Sequence, residues 1–479
     1  MIKKHSKNIL IASAIIGCFA ASTAQAANWL MLQGTEDGAA APRAKVWGFI
    51  QPTFITTDGT QLPVGPFAGQ DPQFNVHQPD LSSESTFQLQ RARLGVRGLG
   101  FPLDPDINYF LLAEFGNNGI TNPGGGSGSA RITDASITFN QIKGARVRVG
   151  QMKIPMSEEI YQGIFTFNYI NFTNMANQQL IERPFQTDGN AACNIDPTID
   201  TVTGLPVNRS SDQYLNFCNG DSATQFRTST AAVRDIGIQI FDTFKMNDWE
   251  HSYAILYGNG GISKHDRDDN KDTTVYLSTE KVFAGEGPRR QGMKFYAWST
   301  RGKRTIYDSA TLNAGGSLTA AEREYDRNLA GIGTTILSDK HRFWAEYNVF
   351  DGMIFNGSTG GAVPGAVNNA GTEVSQFLLS TKGESDGYYI DYGYKITPKV
   401  ELDIRYDVYN RVTNLAAAAE RTYETTTLGV QYFFNKKTRF TFNHELRSLE
   451  APGQASTAGA NKIGDAMDDR TSLQVYMAF

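Results

Sequence analysis

Arginines recur at every second position in two short stretches. Arg91, Arg93 and Arg97 are interleaved with Ala92, Leu94 and Val96, and Arg146 and Arg148 with Val147 and Val149. Successive side chains of an extended chain point to opposite faces, so each stretch would present a basic face and an oily one. Lys153 follows at the end of the second stretch. Arginines on a lipid face at mid-membrane would cost roughly 2–4 kcal/mol each, so in a membrane-spanning strand they belong on the wet side. Nearby acids such as Asp134 are too few to pair them all, and a wall of this kind would attract anions. The next long stretch, 154–232, is acidic: Glu158, Glu159, Glu182, Asp188, Asp196, Asp200, Asp212 and Asp221 stand against Arg183, Arg209 and Arg227. A basic wall facing an acidic loop would set a transverse field across an aqueous path and sort dipolar solutes. Glu182 and Arg183 are also spaced to form a salt bridge within the loop.

Other residue clusters point to no enzyme or cofactor. His77, His251, His265, His341 and His444 show no metal-ligand or hydrolase spacing. Asp266, Asp268, Asn270 and Asp272 imitate the start of a calcium loop, but the glycine and distal glutamate of that motif are missing; a solvated outer loop is the expectation. Gly124 to Ser129 reads as a flexible loop tip, since no helix follows to cradle a phosphate. Neither a catalytic centre nor a metal or other cofactor is expected. A formal charge of −5, taken to −8 if Lys3, Lys4 and Lys7 are removed with a leader, argues against nucleic-acid binding.

Those three lysines, the apolar run Ile9–Ala21 and the Ala24-Gln25-Ala26 site have the order of a secretory signal. Residues 1–26 are therefore expected to be removed, leaving 27–479 as one barrel domain. Ile15-Ile16-Gly17-Cys18 is a rival, lipoprotein-like site, but the apolar run continues past it. An exported chain meets an oxidising periplasm, so Cys193 and Cys218 are expected to form a disulfide, favouring the folded loop by roughly 3–4 kcal/mol in the chain-entropy account.

The elements that must hold these residues are strands. Only 40% of the chain is hydrophobic and its mean hydropathy is −0.36, and no segment after the leader approaches the roughly 20 apolar residues of a membrane helix. Alternation is sustained instead: Leu402, Ile404, Tyr406 and Val408 alternate with Glu401, Asp403, Arg405 and Asp407. The pattern predicts sixteen strands, near 44–56, 85–99, 106–117, 131–141, 144–153, 233–243, 249–259, 272–281, 290–302, 325–337, 341–351, 388–396, 400–410, 424–434, 438–448 and 468–479. Links leaving even strands are short, as at 338–340, 397–399 and 435–437. Links leaving odd strands are long, as at 57–84, 154–232 and 352–387. A membrane barrel with both ends in the periplasm needs this asymmetry. Phe479 closes a final apolar alternation of Leu473, Val475 and Met477, similar to the insertion signal of outer-membrane barrels.

Four segments resemble the phosphate-selective porin O and P family: Gln90-Arg91-Ala92-Arg93-Leu94-Gly95-Val96-Arg97-Gly98, Val149 to Glu159, Ile181-Glu182-Arg183-Pro184 and Arg234 to Gln239. The resemblance implies a sixteen-stranded barrel, a homotrimer and a long third loop folded into the pore, here 154–232. Residues 189–226 look like an insertion relative to that pattern. Phosphate-specific members depend on dense lysine and arginine at the constriction, whereas this loop has no lysine beyond Lys153 at its edge; strict phosphate selectivity is not expected. The expected function is passive diffusion of small polar or anionic solutes across the outer membrane, in contact with lipid and lipopolysaccharide. The alternative is an adhesin or structural anchor whose pore is plugged.

Overall fold

In the computed structural model, the described residues are 28–33, 35, 43–58, 60–72, 74, 85–99, 104–118, 130–182, 215–217, 233–260, 269–285, 289–307, 311–312, 318–319, 322–358, 377–415 and 419–479. The expected signal peptide, the Gly124–Ser129 tip, Asp266, Asp268, Arg183 and both expected disulfide cysteines, Cys193 and Cys218, lie outside them.

Sixteen antiparallel strands close into one barrel: β1 (Lys45–Thr57), β2 (Ser85–Leu99), β3 (Ile107–Glu114), β4 (Arg131–Phe139), β5 (Arg146–Lys153), β6 (Arg234–Met246), β7 (Trp249–Gly258), β8 (Asp272–Ala284), β9 (Gln291–Tyr307), β10 (Glu322–Ser338), β11 (His341–Asp351), β12 (Glu384–Thr397), β13 (Val400–Arg411), β14 (Arg421–Asn435), β15 (Thr438–Glu450) and β16 (Arg470–Ala478). Each strand pairs with its sequence neighbours. The ring is sealed by β1 against β16, from Phe49 opposite Ala478 to Thr57 opposite Arg470. All backbone groups can then be satisfied within the wall, which lipid demands. No helix among the described residues is long and apolar enough to cross a membrane.

Burial inverts the rule of soluble proteins. On β13, Glu401, Asp403, Arg405 and Asp407 are buried, while Leu402 and Ile404 are 43% and 46% exposed. The oily residues form the outer face and the charged ones the inner face, as a lipid-embedded barrel requires. Short turns close one end; between β10 and β11, Asp339 takes the left-handed conformation (φ 52°), as a tight hairpin needs.

The wall is uneven. β3 and β5 have 8 residues each and β4 and β16 have 9, whereas β9 and β10 have 17. Beyond the barrel, Leu215–Phe217 pairs with Phe377–Ser380, which pairs in turn with Ile354–Ser358. This small sheet ties the long link after β5 to the link between β11 and β12.

Candidate pore constriction

Among the described residues, two pieces of chain enter the barrel. The first follows β5. Within the strand Gly150 has φ +124° and lies directly opposite Gly237 of β6, and the strand ends at Lys153. Residues 154–182 then run inward, with a single helical turn at Glu158–Tyr161 and a wider turn at Ala176–Leu180. Lys153 stabilises the first turn: its Nζ donates to the carbonyls of Ile160 (3.0 Å) and Gln162 (2.7 Å), placing a cation where helical carbonyls are left over.

Lumen groups pin the segment on nearly every side. Ser157 donates to Glu346 of β11 at 3.0 Å, and Tyr169 to Asp391 of β12 at 2.6 Å. The Ile170 amide donates to Asn443 of β15 at 2.8 Å, and Asn171 reaches Glu445 of β15 and Ser472 of β16 at 2.8 and 3.2 Å. Asn174 donates to Asp407 of β13 through both its amide (2.8 Å) and its side chain (2.7 Å). On the other side of the lumen, Arg91 of β2 lies 6.0 Å from the Phe172 ring centroid.

The three described loop acids all bond to cations. Glu158 accepts from Lys294 of β9 and, at 2.6 Å, from Trp29 Nε1. Glu159 accepts from the Thr173 amide (2.7 Å) and hydroxyl (2.5 Å) and from Arg405 of β13 at 3.4 Å. Burial pushes the Glu159 carboxyl up to about 7 against the opposing pull of Arg405. Glu182 receives two 2.8 Å bonds from Arg304 of β9, with Arg327 of β10 at 3.4 Å. Burial alone would raise the Glu182 carboxyl, but Arg304 and then Arg327 hold it below the usual range. Glu182 thus meets arginines of the wall; Arg183, its expected partner, lies outside the described residues.

The cations singled out in the sequence line the opposite side of the lumen. Arg91 donates to Gln51 at 3.2 Å. Arg93 bonds Glu114 at 2.7 Å and Arg146 bonds Asp242 at 3.2 Å. Arg97 donates to the Leu32 carbonyl at 3.0 Å. Arg148 donates to Thr138 (3.3 Å), Gln239 (3.1 Å) and the Leu30 carbonyl (3.0 Å), and its guanidinium lies 4.3 Å from the Phe241 ring centroid. Asp134, the acid expected near these cations, pairs with Arg234 of β6 at 3.2 Å.

Several inward groups were given no site role in the sequence: Lys294, Arg304, Arg342 and Glu346, and also Arg234, Arg405 and Asp407, which were read only as part of a family segment or of a strand's alternation. For Lys294, Arg342, Glu346, Arg405 and Asp407 the signal was present, since each stands at a wet position of a predicted strand; Arg304 falls past the predicted strand end at 302. Arg342 alone holds Asp391, Asp403 and, at 2.8 Å, Glu401. The second inward piece, Asn28–Gln33, was not singled out in the sequence. Among the described residues, no group of three or more His, Cys, Asp or Glu is arranged to hold a metal.

This fold and lumen define a channel-type β-barrel of the outer membrane. The model of the family described as phosphate-selective porin O and P matches residues 65–212, which include three of the four segments that carry the resemblance. Among solved structures, the outer-membrane channel DcaP of Acinetobacter baumannii is similar with a TM-score of 0.50 and 13% identity, covering 94% of this chain and 100% of that one. OmpF of Salmonella typhi, in complex with daunomycin, is similar with a TM-score of 0.50 and 10% identity, covering 91% and 97%. At these identities the likeness is one of fold. No curated protein matches the sequence.

Proposed function

We propose that the barrel is a passive diffusion channel for small hydrophilic solutes, with a preference for anions, in the Gram-negative outer membrane. The observation that carries this reading is the one-sided basic face: Arg91, Arg93, Arg97, Arg146, Arg148 and Lys153 all come from β2 and β5. The described loop acids Glu158, Glu159 and Glu182 bond wall cations of β9 and β13. Glu114, Asp242 and Asp134 offset part of this face through Arg93, Arg146 and Arg234, but its cations outnumber these acids, so it keeps an excess of positive charge. On this reading residues 154–182, within the expected loop 154–232, form the constriction, and no reaction is catalysed.

A homotrimer is supported by the low side of the wall. Eight residues extend about 27 Å at about 3.4 Å each, and a tilt of about 40° reduces this to about 21 Å, short of the apolar band of about 25 Å. Strands β3 and β5 would leave lipid unmatched unless another subunit covered them, whereas β9 and β10 span it with room to spare. The outer apolar belt meets lipid elsewhere, and the outer loops would meet lipopolysaccharide.

A second reading, a plugged barrel serving as anchor or adhesin, is favoured by the contacts of residues 154–182 with both sides of the lumen. Planar-bilayer recording separates the two. Steady ohmic steps and a reversal potential on the anion side in a KCl gradient are expected, and Arg91→Gln with Arg148→Gln should move that potential toward cations. Absence of steps from folded, inserted protein would favour the plugged barrel, and an unmoved potential would leave the arginines structural.

A further inference from the structure

The second piece of chain inside the barrel comes from the N-terminal side of β1. Asn28 caps a short turn at Trp29–Leu32 by accepting from the Leu30 amide at 3.1 Å, and its side chain donates to Ser252 of β7. Leu30 is fully buried, in one apolar cluster with Phe241 of β6 and with Ile160 and Tyr161 of the inward loop. Trp29 reaches the other way: its indole donates to Glu158 at 2.6 Å and its ring meets Phe165 edge-on at 6.2 Å. The turn thus fills the gap between the β2–β7 wall and the loop.

Its backbone covers part of the basic face. The carbonyls of Leu30 and Gln33 accept from Arg148, and that of Leu32 accepts from Arg97. Both arginines stand in the half of the lumen nearer the short turns, which is the periplasmic half: β2 runs toward that end and Arg97 lies near its close, while β5 leaves that end and Arg148 lies near its start. Arg91 and Arg93 lie farther from the turns. Carbonyl dipoles facing a guanidinium lower its pull on a passing anion, and the volume of Trp29 and Leu30 narrows the path.

We infer that Asn28–Gln33 is a periplasmic strap that sets both the conductance and the charge selectivity of the pore by covering Arg97 and Arg148. This goes beyond the channel reading and rests on it. The strap is held by Trp29 and Leu30, by Asn28 on Ser252 and by its carbonyls on Arg97 and Arg148, and its described residues join no barrel ladder, so it can be released without opening the wall.

The test is Trp29→Ala with Leu30→Ala in the full chain, purified from outer membranes, checked for heat-modifiable migration and recorded beside the unaltered protein. A severalfold rise in single-channel conductance and a reversal potential moved toward anions are expected. Equal conductance and equal selectivity in two conducting proteins overturn the strap while leaving the channel intact. Steps from the variant beside a silent parent support the strap; silence from both overturns the channel reading, and the strap with it. If the double variant does not fold, Leu30→Asn, which keeps the branched shape in a smaller, polar side chain and loses its fit to an apolar site, carries the same expectation in smaller measure and the same refutation.

Discussion

Replacing Arg304 with Gln should release the constriction loop at its far anchor. The Arg304 guanidinium makes two 2.8 Å bonds to Glu182 and bonds of 2.8 and 2.9 Å to Asp272, all buried. Removing one partner of a buried pair costs about 3–5 kcal/mol, because the other charge is left without its counterion. Arg327 remains, 3.4 Å from Glu182 and 3.9 Å from Asp272, and compensates in part, which puts the loss at the low end. At about 1.4 kcal/mol per factor of ten, a loss of about 3 kcal/mol makes local opening about 150 times more frequent. The change belongs to the loop, since the strands keep their ladders. Hydrogen exchange of the detergent-solubilised protein should therefore quicken at the amides of Asn177 and Ile181, which bond the carbonyls of Thr173 and Ala176 at 3.0 and 2.9 Å, while strand amides keep their protection. The Glu182 carboxylate is held below its usual range, so the anchor is present above the ordinary carboxylate range and is lost only as pH falls through the depressed value. Unchanged exchange at both loop amides in a folded Arg304→Gln protein would refute the anchor.

Glu159 should give the pore a pH step near neutrality: its carboxyl is pushed up to about 7, so it is charged at pH 8 and protonated at pH 6. Burial favours the neutral form, so its stability term is greatest below the unfolded carboxylate value and is lost as pH rises through about 7. The reversal potential should move toward anions on going from pH 8 to pH 6, and Glu159→Gln should abolish that movement; the same step in both proteins would assign it elsewhere. Gly150→Ala should destabilise the barrel, since an added Cβ would sit 2.2 Å from the Ala135 carbonyl oxygen at φ +124°; backbone strain of about 1–3 kcal/mol is compounded by a clash with backbone that cannot turn away. Gly144→Ala, at φ +83° with nothing within 4 Å of the new atom, supplies the strain without the clash. The temperature at which folded migration on a gel is lost should fall further for Gly150→Ala than for Gly144→Ala.

All sixteen strands were legible because each face of a transmembrane strand has one solvent. Where that ceases to hold, the ends blur. Alternation places the ninth strand at 290–302, yet β9 continues to Tyr307 and carries Arg304. Around Arg301, Lys303 and Arg304 both faces are polar, so the period fades although the ladder persists. The basic face was legible for the same reason as the strands. The loop's destinations were not, because Asn171 meets Glu445 and Glu182 meets Arg304 across 274 and 122 residues of chain, and no local pattern records such pairings. Asn28–Gln33 escaped because a short apolar run ahead of the first strand carries no period of its own, and its carbonyls on Arg97 and Arg148 leave no local mark in the sequence.

The expected field ran from a basic wall to an acidic loop, and the contacts give the loop a different part in it. Glu158, Glu159 and Glu182 each sit against a cation of the far wall, so at short range the described part of the loop, residues 154–182, is close to neutral. Among the described residues the negative pole lies on β11 to β15, where the buried Glu346, Asp391, Glu401, Asp403, Asp407 and Glu445 outnumber the buried Arg342, Arg405, Arg411 and Arg439. Those acids take up the hydroxyl of Tyr169 and the amides of Asn171 and Asn174, so they fix the loop's position while facing the arginines of β2 and β5 across it. Charge selectivity and pore width are therefore coupled through the same carboxylates. Neutralising one of them weakens the field and loosens the loop together, whereas neutralising Arg91, which lies 6.0 Å from the Phe172 ring, weakens the field and leaves the carboxylate contacts of the loop in place.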